Sequence, residues 1–138
     1  MARTRSESRT RGTKAEPDDG SAFACRLASA LVDVKSEAVK VLDVRGLTDV
    51  ADFLVIATAM SERQLAAMAS AAAEAVESSG RTLLGTEGTG QSGWIVVDTG
   101  DVVTHLLSRP ARAYYDLDGL WADAPVVTGP ARGRKEPQ

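Results

Sequence analysis

Three places in this 138-residue chain hold residues whose types could do chemistry. The first is DVRGLTDVADFLVIAT, Asp43 to Thr58, in which a glycine-containing turn leads to Asp52 at the head of an apolar run, Phe53 to Ala59. An acid opening a strand in that way suits a two-metal phosphoryl-transfer site, which needs several carboxylates converging on ions about 3.5–4 Å apart. Side chains two apart on a strand share a face, so the second carboxylate belongs at position 54, and that residue is Leu54. Asp49 lies before the strand, and its spacing makes it no substitute, so Asp52 reads as a structural or surface acid. The second place is the pair Cys25 and His105, a thiol and an imidazole that could act as nucleophile and base if folding joined them. Cys25 falls inside an amphipathic stretch, where a small buried side chain is the plainer reading. The third is GTEGTGQSG, Gly85 to Gly93, which lacks the Gly-Lys-Ser/Thr ending of a phosphate loop and leads into a strand instead of a helix N-terminus. With one cysteine and one histidine, neither an internal disulfide nor a Cys/His zinc site is available. These residues give no catalytic group, metal ligand or cofactor site, and the chain reads as a non-enzyme.

The elements that would carry these residues alternate. Phe23, Leu27, Ala30, Leu31 and Val34 recur at helical spacing, which predicts an amphipathic helix over 22–37. Val39 to Val44 and Phe53 to Ala59 read as strands. Ser61-Glu62-Arg63-Gln64 is a capping-box pattern opening a helix with Leu65, Met68, Ala72 and Val76 on one face, ended by Gly80. Arg81 to Leu84 reads as a strand, followed by a flexible loop from Gly85 to Gly93. Trp94–Asp98 and Asp101–Leu107 form a hairpin around Thr99-Gly100. Pro110 suits the first turn of a short helix through Tyr114, and Leu117, Leu120 and Trp121 suggest one more turn before Pro125. The fold class is α/β, a small mixed sheet of about five strands flanked by helices. Residues 1–21 and 128–138 are polar and almost free of large apolar groups, so both read as disordered tails around a single domain at 22–127.

Charge is unevenly spread along the chain. The net of −3 includes five Lys/Arg and four Asp/Glu in residues 1–21, and three Lys/Arg and one Glu in 128–138. That leaves 8 basic and 14 acidic side chains in 22–127, a net of −6. An acidic body is ill suited to gripping phosphates, which are held by clustered Lys and Arg. It suits a basic protein partner, or is simply well solvated. The arginine-bearing tails could brush nucleic acid. No apolar run reaches the ~18–20 residues that span a bilayer, and the first twenty residues offer no signal-peptide core, so a cytoplasmic protein is expected.

With Thr99-Gly100 as a two-residue loop, Asp98 lies opposite Asp101 and Trp94 opposite His105. Alternation then puts Trp94, Val96, Asp98, Asp101, Val103 and His105 on one face, and Ile95, Val97, Val102 and Thr104 on the other, the better core candidate. Opposed carboxylates destabilise a strand pair unless a cation intervenes. An indole among polar groups is a common interface anchor. The face therefore fits docking to a basic protein; the plain alternative has Trp94 packing under a helix and both aspartates solvated at a turn.

ADFLVIATAMSERQ (Ala51–Gln64), GWIVVDTGDVVTHLL (Gly93–Leu107) and ARAYYDLDGLWADAP (Ala111–Pro125) occur in an order and spacing that resemble the ribosomal silencing factor family, also called iojap-like proteins. The resemblance covers roughly residues 23–126. It implies a nucleotidyltransferase-like fold without the catalytic acids. It also implies binding to the large ribosomal subunit through ribosomal protein fourteen, blocking subunit joining and lowering translation when nutrients are scarce. Free members form homodimers in some cases. Carried over by position, Trp94, Asp98, Asp101 and His105 lie in the family's most recognisable strand pair, and Tyr114 and Tyr115 in its C-terminal signature. Ala59-Met60-Ser61 and Leu106-Leu107 depart from the usual pattern without touching those acids. Alternatives are a large-subunit assembly factor and a residual nucleotidyltransferase or nucleotide-binding domain. Peripheral rRNA contact by the tails stays open.

Overall fold

The structure, a computed structural model, describes residues 20–127. The tails expected at 1–21 and 128–138 fall almost wholly outside the described residues. The first helix, α1, runs Gly20–Asp33, so it starts two residues before the span expected at 22–37 and ends four residues short of its end. It is followed by β1 (Glu37–Asp43), β2 (Phe53–Ala59), α2 (Glu62–Ser78), β3 (Gly85–Glu87), β4 (Trp94–Asp98), β5 (Val102–Ser108), α3 (Arg109–Tyr115) and α4 (Leu117–Leu120).

The strands form one five-stranded sheet in the order β1-β2-β5-β4-β3. Only the β2–β5 contact is parallel, so the sheet is mixed, as the alternation of elements predicts. The interior strand β2 is buried at all seven positions, which is why it reads as an apolar run. Its odd-numbered residues Phe53, Val55, Ala57 and Ala59 meet α1 and α2, together with Val41, Ile95, Val97, Val102 and Leu106. Leu54 and Ile56 point to the opposite side, where Leu42, Val44, Leu107, Leu117 and Ala124 make a second, smaller core beneath α3 and α4. Among the described residues no helix is long and apolar enough to cross a membrane.

Local chemistry sets the helix ends. α1 closes with Lys35 in the left-handed region (φ 70°), the Ser36 N–H donating to the Leu31 carbonyl and the Lys35 N–H to that of Val32. α2 closes the same way on Gly80, with Arg81 donating to Val76 and Gly80 to Glu77. At the start of α2 the Ser61 hydroxyl accepts from the Gln64 N–H at 3.1 Å, as the capping pattern predicts. The Gln64 side chain also accepts from the Met60 N–H and donates to the carbonyls of Val34 and Lys35, so one residue serves the ends of two helices.

Two expectations are corrected. Arg81–Leu84 is not a strand; the edge strand is Gly85–Glu87, inside the stretch expected to be a loop. The Leu84 N–H already reaches the Asp98 carbonyl at 2.8 Å, and pairing then continues from Gly85 opposite Asp98 to Glu87 opposite Val96. Gly88 ends the strand at φ 90°, where a side chain would collide with the Trp94 carbonyl, so the chain turns tightly there because it is glycine. On the far edge of the sheet, residues 125–127 run antiparallel to β1, with Asp43 N–H donating to the Pro125 carbonyl and Val127 N–H to that of Val41.

Candidate docking surface

The hairpin of β4 and β5 is in a different register from the one expected. Asp98 lies opposite Val103, Val96 opposite His105 and Trp94 opposite Leu107. The corner residues are Gly100 and Asp101, the Thr99 N–H donating to the Val102 carbonyl at 3.0 Å. Gly100 takes φ 93° at the first corner position, as a type II′ turn requires. The slip moves each partner by two residues. It therefore preserves which side chains share a face: Ile95, Val97, Val102 and Thr104 are buried, and Trp94, Val96, Asp98, Val103 and His105 take the other side.

The slip separates the two acids. Asp98 and Asp101 do not oppose each other, and the repulsion that would call for an outside cation does not arise. The Asp101 carboxylate accepts from Arg81 at 2.6 Å, and its backbone carbonyl accepts from Asp52 and Phe53 at 2.8 and 3.0 Å. It lies close under the first residue of α1: a side chain at Gly20 would stand 3.1 Å from its Oδ2. That placement sets a negative group at the positive end of a helix. Asp101 thus joins the hairpin corner to α1 and to Arg81, whose guanidinium also stacks 4.5 Å from the Phe23 ring centroid. Asp98 is half-buried, and its carboxylate accepts from the Gly100 N–H at 2.8 Å, so it helps to form the turn while still facing outward.

Trp94 and His105 do come together, diagonally across the strand pair. The indole N–H donates to His105 Nδ1 at 3.1 Å, with ring centroids 5.9 Å apart. Accepting that bond requires an unprotonated Nδ1, and burial pushes the imidazole pKa down to about 4, so the ring is neutral at pH 7. His105 therefore holds the indole by accepting its N–H.

Tyr115 also packs on Trp94, at 4.3 Å between centroids, and Tyr114 meets Tyr115 edge-on at 5.0 Å. The four rings make a ladder that climbs from the half-buried His105 and Trp94 to Tyr115, 49% exposed, and Tyr114, 80% exposed. Beside it, Val96 and Val103 are only half-buried, and among the described residues β3 makes its main contact with β4. Glu87 is exposed and shares a face with Val96, its cross-strand partner, so it adds an acid from the stretch expected to be a loop. The sequence carried a signal for it only as an acid two residues into a glycine-bounded stretch.

The remaining chemical candidates stay apart. Cys25 is buried within α1 on the far side of the sheet from His105. Asp52 is exposed before β2, and among the described residues no cluster of three or more His, Cys, Asp or Glu could hold a metal. What the surface offers is an aromatic ladder, two half-buried valines and two acids, Asp98 and Glu87.

Residues 17–138 match the family model described as "Ribosomal silencing factor during starvation". The chain is 38% identical over 99 residues to the ribosomal silencing factor RsfS of Halalkalibacterium halodurans, covering 72% of this chain and 85% of that one. It is 35% identical over 100 residues to the Bacillus subtilis protein of the same name, with the same coverage. It is 34% identical to the chloroplastic protein Iojap of Arabidopsis thaliana over 128 residues, 90% of this chain but 53% of that longer one. Among solved structures, a crystal structure of a Chromobacterium violaceum protein superposes with a TM-score of 0.72 at 29% identity, covering 85% of this chain and 99% of that one. On sequence and fold together, the chain belongs to the ribosomal silencing factor family, a family of translational repressors that act on the ribosome.

Proposed function

We propose that this chain silences translation by binding the large ribosomal subunit through ribosomal protein fourteen and excluding the small subunit from the same face, most of all when nutrients are limiting. The action is occupancy, without catalysis, in the cytoplasm. The observation that carries the reading is the aromatic ladder on the sheet face that also carries Asp98 and Glu87. It combines rings held in place by their neighbours, which lose little entropy on binding, with acids that suit a basic partner. Trp94, Tyr115 and Tyr114 supply the contact, His105 holds the indole, and Asp101 builds the turn that presents Asp98. In the free state the chain pairs with itself, and the basic tails add peripheral contact with rRNA.

A subunit-joining assay with purified components tests this. Large subunits preincubated with the protein should fail to form 70S particles with added small subunits, and Asp98→Arg combined with Tyr115→Ala should restore joining. Asp52→Ala should silence as well as the unaltered chain. Full 70S formation at saturating protein would refute the proposal, and so would loss of silencing in Asp52→Ala alone.

A further inference from the structure

The exposed end of the ladder is built on two helices that have little to hold them. α3 is seven residues long and buries no side chain; α4 is one turn and buries only Leu117. Helices this short are not stable by themselves, so their position must come from tertiary contacts. Besides the apolar packing of Leu117, Ala111 and Trp121, one side chain makes four hydrogen bonds that tie them to each other and to the sheet. Arg112 grips both carboxylate oxygens of Asp118, Nε at 2.8 Å and one terminal nitrogen at 3.0 Å. Its other terminal nitrogen donates to the Ala38 carbonyl and the Thr58 hydroxyl, both at 2.8 Å.

Those four acceptors belong to three different elements. Asp118 is in α4, Thr58 is the next-to-last residue of β2, and Ala38 sits where the β1–β2 register shifts, in the left-handed region at φ 50°. A non-glycine residue rarely adopts that conformation, and here it aims the Ala38 carbonyl at the guanidinium. The Arg112 side chain is only 13% exposed, so the bonds are well shielded from water. Lys40 adds a second cation to Asp118 at 2.7 Å. By contrast, the Arg109–Glu37 pair that also ties α3 to β1 is 61% and 43% exposed and correspondingly weak. Tyr115 follows Arg112 by three residues, nearly one helical turn, and Asp116 then ends α3 and caps α4 through the Gly119 N–H.

We propose that Arg112 is a positioning residue for the docking surface: by clamping α3 and α4 to the bulge of β1 and the end of β2, it fixes Tyr115 against Trp94. The effect on ribosome binding rests on the function proposed above, whereas the effect on ring geometry does not.

The test uses the full chain, with NMR cross-peaks between the Tyr115 and Trp94 rings as one readout and co-sedimentation with large subunits as the other. Arg112→Met and Asp118→Asn should each lose or weaken the ring cross-peaks, while the Trp94 indole N–H, bonded within the sheet to His105, keeps its chemical shift. Binding should weaken about tenfold, as in Tyr115→Ala. Arg112→Lys keeps the charge without the fork and should not restore the cross-peaks. If Arg112→Met does not fold, Asp118→Asn decides. Native cross-peaks in the folded variants would overturn the clamp. If Tyr115→Ala binds as tightly as the unaltered chain, the docking reading fails while the cross-peaks still judge Arg112.

Discussion

His105 shows how a residue chosen for its chemistry ends up with a mechanical task. As the only histidine it draws attention as a base, yet its Nδ1 is occupied by the Trp94 indole N–H, and burial lowers its pKa to about 4. The unfolded chain takes up the proton near pH 6.5, the folded one only near 4, so its contribution to stability is complete above about 6.5 and falls away as the pH drops towards 4. The loss across that window should be roughly 3 kcal/mol. Asp118 behaves differently: the hydrogen bond from Arg112, with Lys40 assisting, holds its carboxyl well below the usual range against the opposing effect of burial. Its contribution is therefore lost only as the pH falls below about 4, outside the histidine window. Urea unfolding of His105→Asn, which still offers the indole an acceptor, should give a nearly flat stability between pH 6.5 and 4.5. A slope equal to that of the unaltered chain would show that another group titrates there. The sequence could place Trp94 and His105 on one face because alternation is a local property. It could not show that Asp101 turns inward, because Arg81 and the start of α1 reach it only in three dimensions.

At the scale of elements, the legible features were those with a period or a punctuation mark. α1, α2 and β2 follow from apolar spacing, and the second helix starts at the Ser61 cap as its pattern requires. The hairpin register did not follow, because Thr99-Gly100 and Gly100-Asp101 are both acceptable corners, and the observed one has Asp98 accepting from the Gly100 N–H within the turn and Asp101 paired with Arg81. Since the error was two residues, the faces survived and the cross-strand partners did not. β3 was missed for a related reason: three residues at a sheet edge, GTE, bury little and leave no pattern, and their pairing comes from backbone groups of β4. Gln64 offers a quantitative test at this scale. It receives the Met60 N–H at the start of α2 and donates to the Val34 and Lys35 carbonyls at the end of α1. Gln64→Ala should cost roughly 1–2 kcal/mol in urea denaturation, because groups at two helix ends lose a partner. Gln64→Glu keeps the acceptor but turns a donor into a negative oxygen facing two carbonyls, so it should recover none of the loss at neutral pH. A Glu variant as stable as the unaltered chain would place the value of Gln64 at the start of α2 alone.

For the whole molecule, the governing quantity is the −6 carried between the tails, against tails that are net positive. Glu87, opposite Val96, and Asp98, at the far end of β4, lie on the sheet face that also carries Trp94, so the acids and the candidate anchors share a side. Fields of this kind act over about a Debye length, ~8–10 Å in physiological salt, and speed encounter more than they strengthen the final contact. The rings should govern dissociation, since buried aromatic anchors dominate the energy of a formed interface. The two contributions can be separated by stopped-flow binding to large subunits. Asp98→Lys with Glu87→Lys should lower the association rate about tenfold at low salt and leave dissociation within about twofold. That difference should shrink as salt rises to several hundred millimolar. Tyr115→Ala should do the reverse, hastening dissociation with little change in association or in salt dependence. If the charge-reversed protein associates at the unaltered rate at low salt, the acids are ordinary solvated surface, and the aromatic ladder must find its partner without electrostatic guidance.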